Sequence, residues 1–297
     1  MKALPFHIVD VFAAEPLTGN PLFVVEAGAD VAVDVFRRIA REFNQSETTF
    51  LLPPTRPEAD WRLRSFSAAG VEVFGAGGHN TLGAWWVLAD TGRLPFEGSK
   101  AVFRQEIGDR VLPVTISRAA GRIADVTMEQ EAPVKGNQLR DVMKLANALG
   151  LTARDIATDR APCQVISTGA AHLMVPIRDR EAVDGIRPDA AALLGLLGGV
   201  AGEGCYVFSL DPRRDKCIAY TRFFNPTVGI AEDPATGTAA GPLAYHLVTN
   251  GLAKSGRMTI EQGTAIGRTS LIEVEVIDDT VKVIGRGVIV GSGQLML

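Results

Sequence analysis

Cysteine is scarce in this chain. Only three occur, at positions 163, 205 and 217, far apart and never in a CxxC pair. Neither a disulfide framework nor a thiolate zinc site is therefore expected, and the pattern suits a reducing cytoplasm. The four histidines, His7, His79, His172 and His246, are scattered, so no His-based metal centre is expected either. Basic residues do not cluster: Arg213-Arg214 is an isolated pair and the net charge is −4, which argues against nucleic acid or an anionic membrane surface as partner. No apolar run reaches membrane-spanning length, and the opening Met1–Asp10 stretch breaks its apolar character too early for a signal peptide. The glycine-rich segments lack the spacing of a dinucleotide or phosphate-loop fingerprint.

What is present is apolar content, 46% of 297 residues, enough for two cores, and the length makes two domains the natural expectation. The chain is organised around Glu232-Asp-Pro-Ala-Thr-Gly-Thr-Ala-Ala-Gly241. A carboxylate pair precedes Pro234, which removes an N–H and fixes φ. Small residues follow, then Pro242–Val248, apolar almost all round as a buried helix must be. The head of such a helix offers unpaired N–H groups and a positive dipole end, a seat for an anion, with Thr236 or Thr238 as candidate cap.

Phe74-Gly-Ala-Gly-Gly-His-Asn-Thr-Leu-Gly83 leads into a second apolar helix in the same manner. A fixed offset of 158, from Arg64 to Arg222, also pairs Phe66 with Phe224, Gly83 with Gly241, Phe50 with Phe208 and Leu52 with Leu210. A repeat on this scale fixes the architecture: two similar halves, each aiming one buried helix at the other, with any shared site at their interface.

Strands are expected at Phe6–Phe12, Leu22–Val25, Ser46–Leu52 and Trp61–Phe66, and again at Lys100–Glu106, Arg110–Ser117 and Arg122–Glu129. Helices are expected at Val31–Phe43, Asn80–Ala89, Gln138–Leu149 and Ala190–Leu197. Ala119-Ala-Gly121 is the candidate domain boundary. Gly169–Val175 echoes Gly19–Val25, and the tail from Met258 to Leu297 alternates as strands.

Among candidate chemical residues, Glu47 opens a strand in the first half only; the echo position holds Cys205. The strand repeats and the acid does not, which favours a general base over a surface glutamate. His79, between Gly78 and Asn80, is open to two readings, a proton donor to substrate or a helix-capping histidine. Asp233 likewise can act chemically or merely cap; Glu232 is expected to point away from it. Gly77, Gly78, Gly237 and Thr238 allow a ligand close to the main chain. Cys205, His7, His172 and His246 read as structural.

Together these pieces resemble the phenazine-biosynthesis isomerase family (PhzF-like), within the diaminopimelate-epimerase structural group. The marks are Gly19-Asn-Pro21, Asn44-Gln-Ser-Glu47-Thr, Gly78-His79 with Thr81-Leu82-Gly83, Glu232-Asp-Pro-Ala-Thr-Gly237, and Gln262-Gly263 with Gly267-Arg268-Thr-Ser270. The resemblance implies an α/β (α+β) fold of two pseudo-symmetric epimerase-like domains, each a curved sheet around a central helix. Residues 1–119 with 286–297 would form one, and 120–285 the other. It implies a homodimer without cofactor or metal. It makes Glu47 the proton-transferring acid, with His79 and Asp233 as helix-start polar residues, and Asn80 joins the substrate-binding set. Thr238 stands where the phenazine enzyme has a serine that holds the substrate carboxylate, and Pro242 is a second departure. The two cysteines of the epimerases are replaced by Gly77 and Asp233, which excludes two-thiol racemisation.

The expected function is a cytoplasmic, cofactor-independent isomerase that shifts a proton on a small carboxylate-bearing metabolite through Glu47. The alternatives are a non-catalytic metabolite-binding protein on the same fold, and epimerisation by one carboxylate and a water.

Overall fold

The computed structural model describes residues 3–74, 78–94 and 97–297. They divide into two compact units, one of residues up to Glu129 with 284–297, the other Gln130–Val283. The first unit runs β1 (Ala3–Val11), β2 (Asn20–Glu26), α1 (Val33–Phe43), β3 (Glu47–Leu52), β4 (Trp61–Ser67), β5 (Glu72–Val73), α2 (His79–Asp90), β6 (Lys100–Ile107), β7 (Arg110–Ala119) and β8 (Arg122–Glu129). The second runs β9 (Val134–Gln138), α3 (Val142–Leu149), β10 (Gln164–Ser167), β11 (Ala171–Pro176), α4 (Arg180–Gly185), α5 (Ala190–Val200), β12 (Gly204–Ser209), β13 (Ala219–Asn225), β14 (Ile230–Asp233), α6 (Gly237–Thr249), β15 (Gly256–Gln262), β16 (Ser270–Ile277) and β17 (Thr280–Gly285), whose last two residues fall in the first unit. The last strand, β18 (Gly287–Met296), pairs antiparallel with β1 in the first unit.

The repeat is visible in the ladders. From β1 to β7 the successive pairings are β1–β2 antiparallel, β2–β3 parallel, β3–β4 and β4–β5 antiparallel, β4–β6 parallel and β6–β7 antiparallel. From β10 to β16 the same series recurs in the same order. Even the loop clamps repeat. Buried Glu106, beside Arg62 in the β4–β6 ladder, accepts hydrogen bonds from the Thr55 and Arg56 N–H groups and the Thr55 hydroxyl. Buried Glu261, beside Tyr220 in the β13–β15 ladder, accepts from the Arg213 N–H and the Thr264 hydroxyl.

The ladders also correct the sequence register. Phe66 faces Thr48 and Arg64 faces Phe50, whereas Phe224 faces Cys205 and Arg222 faces Val207. Thr48 therefore corresponds to Cys205, and Glu47 to Gly204. The pairs Phe50–Phe208 and Leu52–Leu210 are one residue out. The cause is a loop: residues 210–218 joining β12 to β13 are one more than residues 53–60 joining β3 to β4. In a strand a one-residue slip changes the face, so the distinction matters for the site.

Two further expectations change, and one helix goes unanticipated. Ala119-Ala-Gly121 is the tight connection between β7 and β8 rather than a boundary, because these strands pair through to Ala119 and Arg122; the division falls after Glu129. Gln138 ends a strand, and the helix begins only at Val142, where the Asp141 carboxylate caps the Lys144 N–H. Helix α4, six residues long and capped by Asp179, is too short to show a helical period in sequence.

Each unit has an outer apolar cluster under its surface helix. In the first, Phe36 and Ile39 of α1 pack with Phe50, Leu52 and Phe66. In the second, Leu193, Leu197 and Val200 of α5 pack with Cys205, Val207, Tyr220 and Phe224. The inner helices α2 and α6 are buried along nearly their whole length, as their unbroken apolar character requires. Glycine lets them approach the sheets closely. A Cβ on Gly83 would lie 2.6 Å from Val11 Cγ2 and 2.7 Å from Leu22 Cδ2, and one on Gly241 would collide with Gln130 Oε1. In an exposed helix glycine to alanine is stabilising. Here Gly83→Ala and Gly241→Ala are each expected to cost about 1–3 kcal/mol through overpacking, read as a lower urea midpoint at unchanged slope.

Candidate functional site

β3 positions the acid. Its side chains alternate between faces: Phe50 and Leu52 join the α1 cluster, while Thr49 reaches α2, its hydroxyl 3.4 Å from the Asn80 carbonyl oxygen. Glu47, two residues before Thr49, shares that second face. Its Oε2 lies 3.3 Å from His79 Nε2, and both side chains are largely buried. Ser46 Oγ is 3.4 Å from the same ring nitrogen. Oε2 of Glu47 is buried and accepts no aligned hydrogen bond among the described residues. Burial raises the carboxyl pKa above its ordinary value, and a hydrogen bond from Ser46 offsets only part of the rise.

His79 is the first residue of α2, after Gly78 at the N-cap, and no side chain caps this helix. The structure sets the His79 imidazole beside an acid. Asn80, the second helical residue, donates through Nδ2 to Ser65 Oγ at 3.2 Å, and Ser65 also bonds Thr49. Its amide is thereby tied into the first unit's interior. Gly77 lies outside the described residues.

In the second unit the Asp233–Thr236 turn is braced by β15. Asp233 is buried, and its Oδ2 accepts from the Thr236 hydroxyl at 2.5 Å. Gln262 donates through Nε2 to the Asp233 carbonyl at 2.8 Å and to Thr236 Oγ1 at 3.0 Å. Its Oε1 accepts from the Thr236 N–H and the Tyr206 hydroxyl. Gly263 has φ +76°, and a Cβ there would meet the Arg268 and Pro234 carbonyl oxygens; Ser270 donates to that Pro234 oxygen. The Gln262-Gly263 and Ser270 marks of the sequence are thus the supports of the turn. Their role escaped the sequence because it depends on a partner about thirty residues away.

Thr236 holds the N-cap position of α6, but its hydroxyl serves Asp233 and makes no cap. Thr238, the other candidate cap, is the second helical residue. Pro242 lies within the helix, so the Thr238 carbonyl loses its i+4 donor. The N–H groups of Gly237 and Thr238 have no intrahelical acceptor, being in the first turn. Glu232 is turned away from Asp233 and held by Arg222 in a two-pronged pair at 2.9 and 2.7 Å; Arg64 and Glu72 make the matching pair in the first unit.

Two residues read as structural divide. Cys205 is buried, and burial raises its thiol pKa, so it is no nucleophile. His172 instead reaches α6, its Nε2 3.3 Å from Thr238 Oγ1, and burial lowers its pKa to about 4. Among the described residues no group of three or more His, Cys, Asp or Glu is arranged to hold a metal ion, and no helix is long and apolar enough to cross a membrane.

Comparison with known proteins gives a consistent picture. The family model described as phenazine biosynthesis-like protein (PhzC-PhzF) matches residues 9–293. Trans-2,3-dihydro-3-hydroxyanthranilate isomerase of Pseudomonas chlororaphis is 34% identical, over 98% of this chain and 99% of its own. The uncharacterized isomerase YddE of Escherichia coli K12 is 33% identical, over 93% and 91%. Among solved structures, a PhzF-family phenazine biosynthesis protein of Bacillus anthracis superposes with a TM-score of 0.90 at 26% identity, each chain fully covered. A probable proline racemase of Agrobacterium radiobacter shares the fold, with a TM-score of 0.65 at 14% identity.

An acid whose folded pKa is raised favours the native state least when it is ionised. Its destabilising effect is absent below the unfolded value near 4.5 and grows as pH rises through the folded value. Glu47→Gln is therefore expected to raise unfolding stability at pH 7–8, with the difference from wild type vanishing below about pH 4.5. Urea unfolding across that range measures it.

Proposed function

Starting from membership of the chain in the phenazine biosynthesis-like protein family, and hence from its being an isomerase, we propose that it works by moving a proton on a small carboxylate-bearing metabolite, with Glu47 as the carrier. Glu47 takes the proton from one carbon of the substrate and returns it at another. The observation that carries this reading is the Glu47–His79 pair: a buried carboxyl with raised pKa, 3.3 Å from an imidazole and, among the described residues, without an aligned hydrogen-bond donor on Oε2. A base intended to give its proton back needs a pKa nearer neutrality than an exposed glutamate has, and burial provides that shift. An acid fully matched by donors would hold its charge too firmly for the task.

We assign His79 to polarising the substrate or holding a proton beside Glu47. To Asp233 and to Gly237 and Thr238 at the head of α6 we assign recognition of the substrate's polar groups, since first-turn N–H groups and a hydroxyl suit a carboxylate. On this reading the proton travels on the protein's own carboxylate, without a cofactor.

The first compound to test is trans-2,3-dihydro-3-hydroxyanthranilate, the substrate named for the Pseudomonas relative. In deuterated water the wild-type protein is expected to incorporate deuterium into a true substrate and Glu47→Gln to incorporate none. His79→Asn is expected to lower kcat by about 10²-fold, the usual scale for one proton-transfer partner. Full exchange by Glu47→Gln would refute the assignment. A compound that binds the wild type without exchange would favour the non-catalytic alternative.

A further inference from the structure

Taking the reading above, in which Thr238 holds a carboxyl group of the substrate, we propose that His172 is its positioning residue: the imidazole donates Nε2–H to Thr238 Oγ1 and so leaves the threonine O–H to donate to the ligand. The argument begins with the corrected register, in which Gly204 occupies the place that Glu47 has in the first unit. The second unit has no acid there, and other side chains fill the space. A Cβ on Gly204 would lie 2.5 Å from Phe223 Cζ and 3.1 Å from His172 Nδ1. The imidazole stands edge-on to the Phe223 ring, centroids 5.0 Å apart at 82°, which fixes its orientation.

Nδ1 of this ring lies 3.1 Å from where a Cβ on Gly204 would stand, is buried and has no hydrogen-bond partner among the described residues. Nε2 faces Thr238 Oγ1 at 3.3 Å. A neutral imidazole carries one N–H, and the two placements are not equivalent. Putting the proton on Nδ1 would bury a donor with no acceptor, a rarer and costlier defect than an unused lone pair. The proton therefore resides on Nε2, and the Thr238 oxygen accepts it. Among the described residues that bond is the only one the Thr238 side chain makes, so its own hydrogen is left to point away from His172. Burial keeps the ring neutral down to about pH 4, so the arrangement persists through the physiological range.

The test uses the full-length protein with ¹⁵N-labelled histidine. At pH 7 the His172 signals, assigned with His172→Gln, are expected to show a single neutral tautomer protonated at Nε2, unchanged down to pH 5. Thr238→Val is expected to shift the Nε2 resonance and leave Nδ1 in place. A ring protonated at Nδ1, or an imidazolium at pH 7, overturns the proposal. Steady-state kinetics on trans-2,3-dihydro-3-hydroxyanthranilate supply the second readout. His172→Leu is expected to raise KM about tenfold, the worth of one hydrogen bond to a charged group, with kcat little changed. His172→Gln, whose amide N–H can occupy the Nε2 position, is expected to recover most of it. Equal losses in the two variants would also overturn it. The tautomer is read in the resting protein, so it stands or falls apart from the Glu47 exchange experiment.

Discussion

A carboxylate on the buried side of a sheet must either find donors or give up its charge. The chain shows both solutions. Glu106 is surrounded by two backbone N–H groups and a hydroxyl. Although burial pushes its pKa up, those bonds and the nearby Arg62 outweigh it and hold the group below the usual carboxylate value. Glu232 and Glu72 each sit in a two-pronged arginine pair. Glu47 is treated differently: among the described residues it is the one carboxylate with a buried oxygen lacking an aligned donor. That oxygen faces His79, and its pKa goes up. Three acids are matched by donors, and the imperfectly matched one is the acid proposed as proton carrier. Strained electrostatics of this sort gather at functional sites.

The repeat explains how one acid came to be singled out. Both units build the same ladder series and place a buried helix with an uncapped head against it. The backbone scaffold is shared, and the side chains at equivalent points are not. At the start of the strand the first unit has Glu47 and the second Gly204. At the first helical residue the first has His79 and the second Gly237. At the next, Asn80 is tied to Ser65 while Thr238 bonds His172. The same pair of backbone features thus carries an acid beside an imidazole in one unit, and a hydroxyl beside first-turn N–H groups in the other.

Much of this was legible in the sequence. Alternation and helical spacing located most elements, and the small-residue runs before Ala84 and Pro242 located both inner helices. The Arg64–Arg222 offset revealed the duplication because these arginines lie in corresponding strands of identical length. The same offset failed upstream, where a single extra loop residue moved Glu47's counterpart from Cys205 to Gly204; counting along a chain cannot detect such a slip, and only the ladder can. Glu47 stood out as a candidate because its strand repeats and the acid does not, and His79 and Asp233 stood out as candidates from their places at helix starts. Gln262 and Ser270 were noticed without their role, and His172 was set aside as structural. Their partners are distant in sequence, and a buried polar residue looks the same on paper whether it braces a turn or fills a gap. Helix α4 and the late start of α3 depend on caps at Asp179 and Asp141 that compete with many other aspartates.

The account rests on the ionisation of one side chain, and that can be observed directly. A ¹³C NMR titration of the Glu47 carboxyl in the resting wild-type protein, assigned by its loss in the Gln variant, is predicted to show a midpoint clearly above 4.5, the ordinary value. A midpoint at or below that value would mean that the buried carboxyl is stably charged like its matched neighbours, and the assignment of Glu47 as a returning proton carrier would be contradicted.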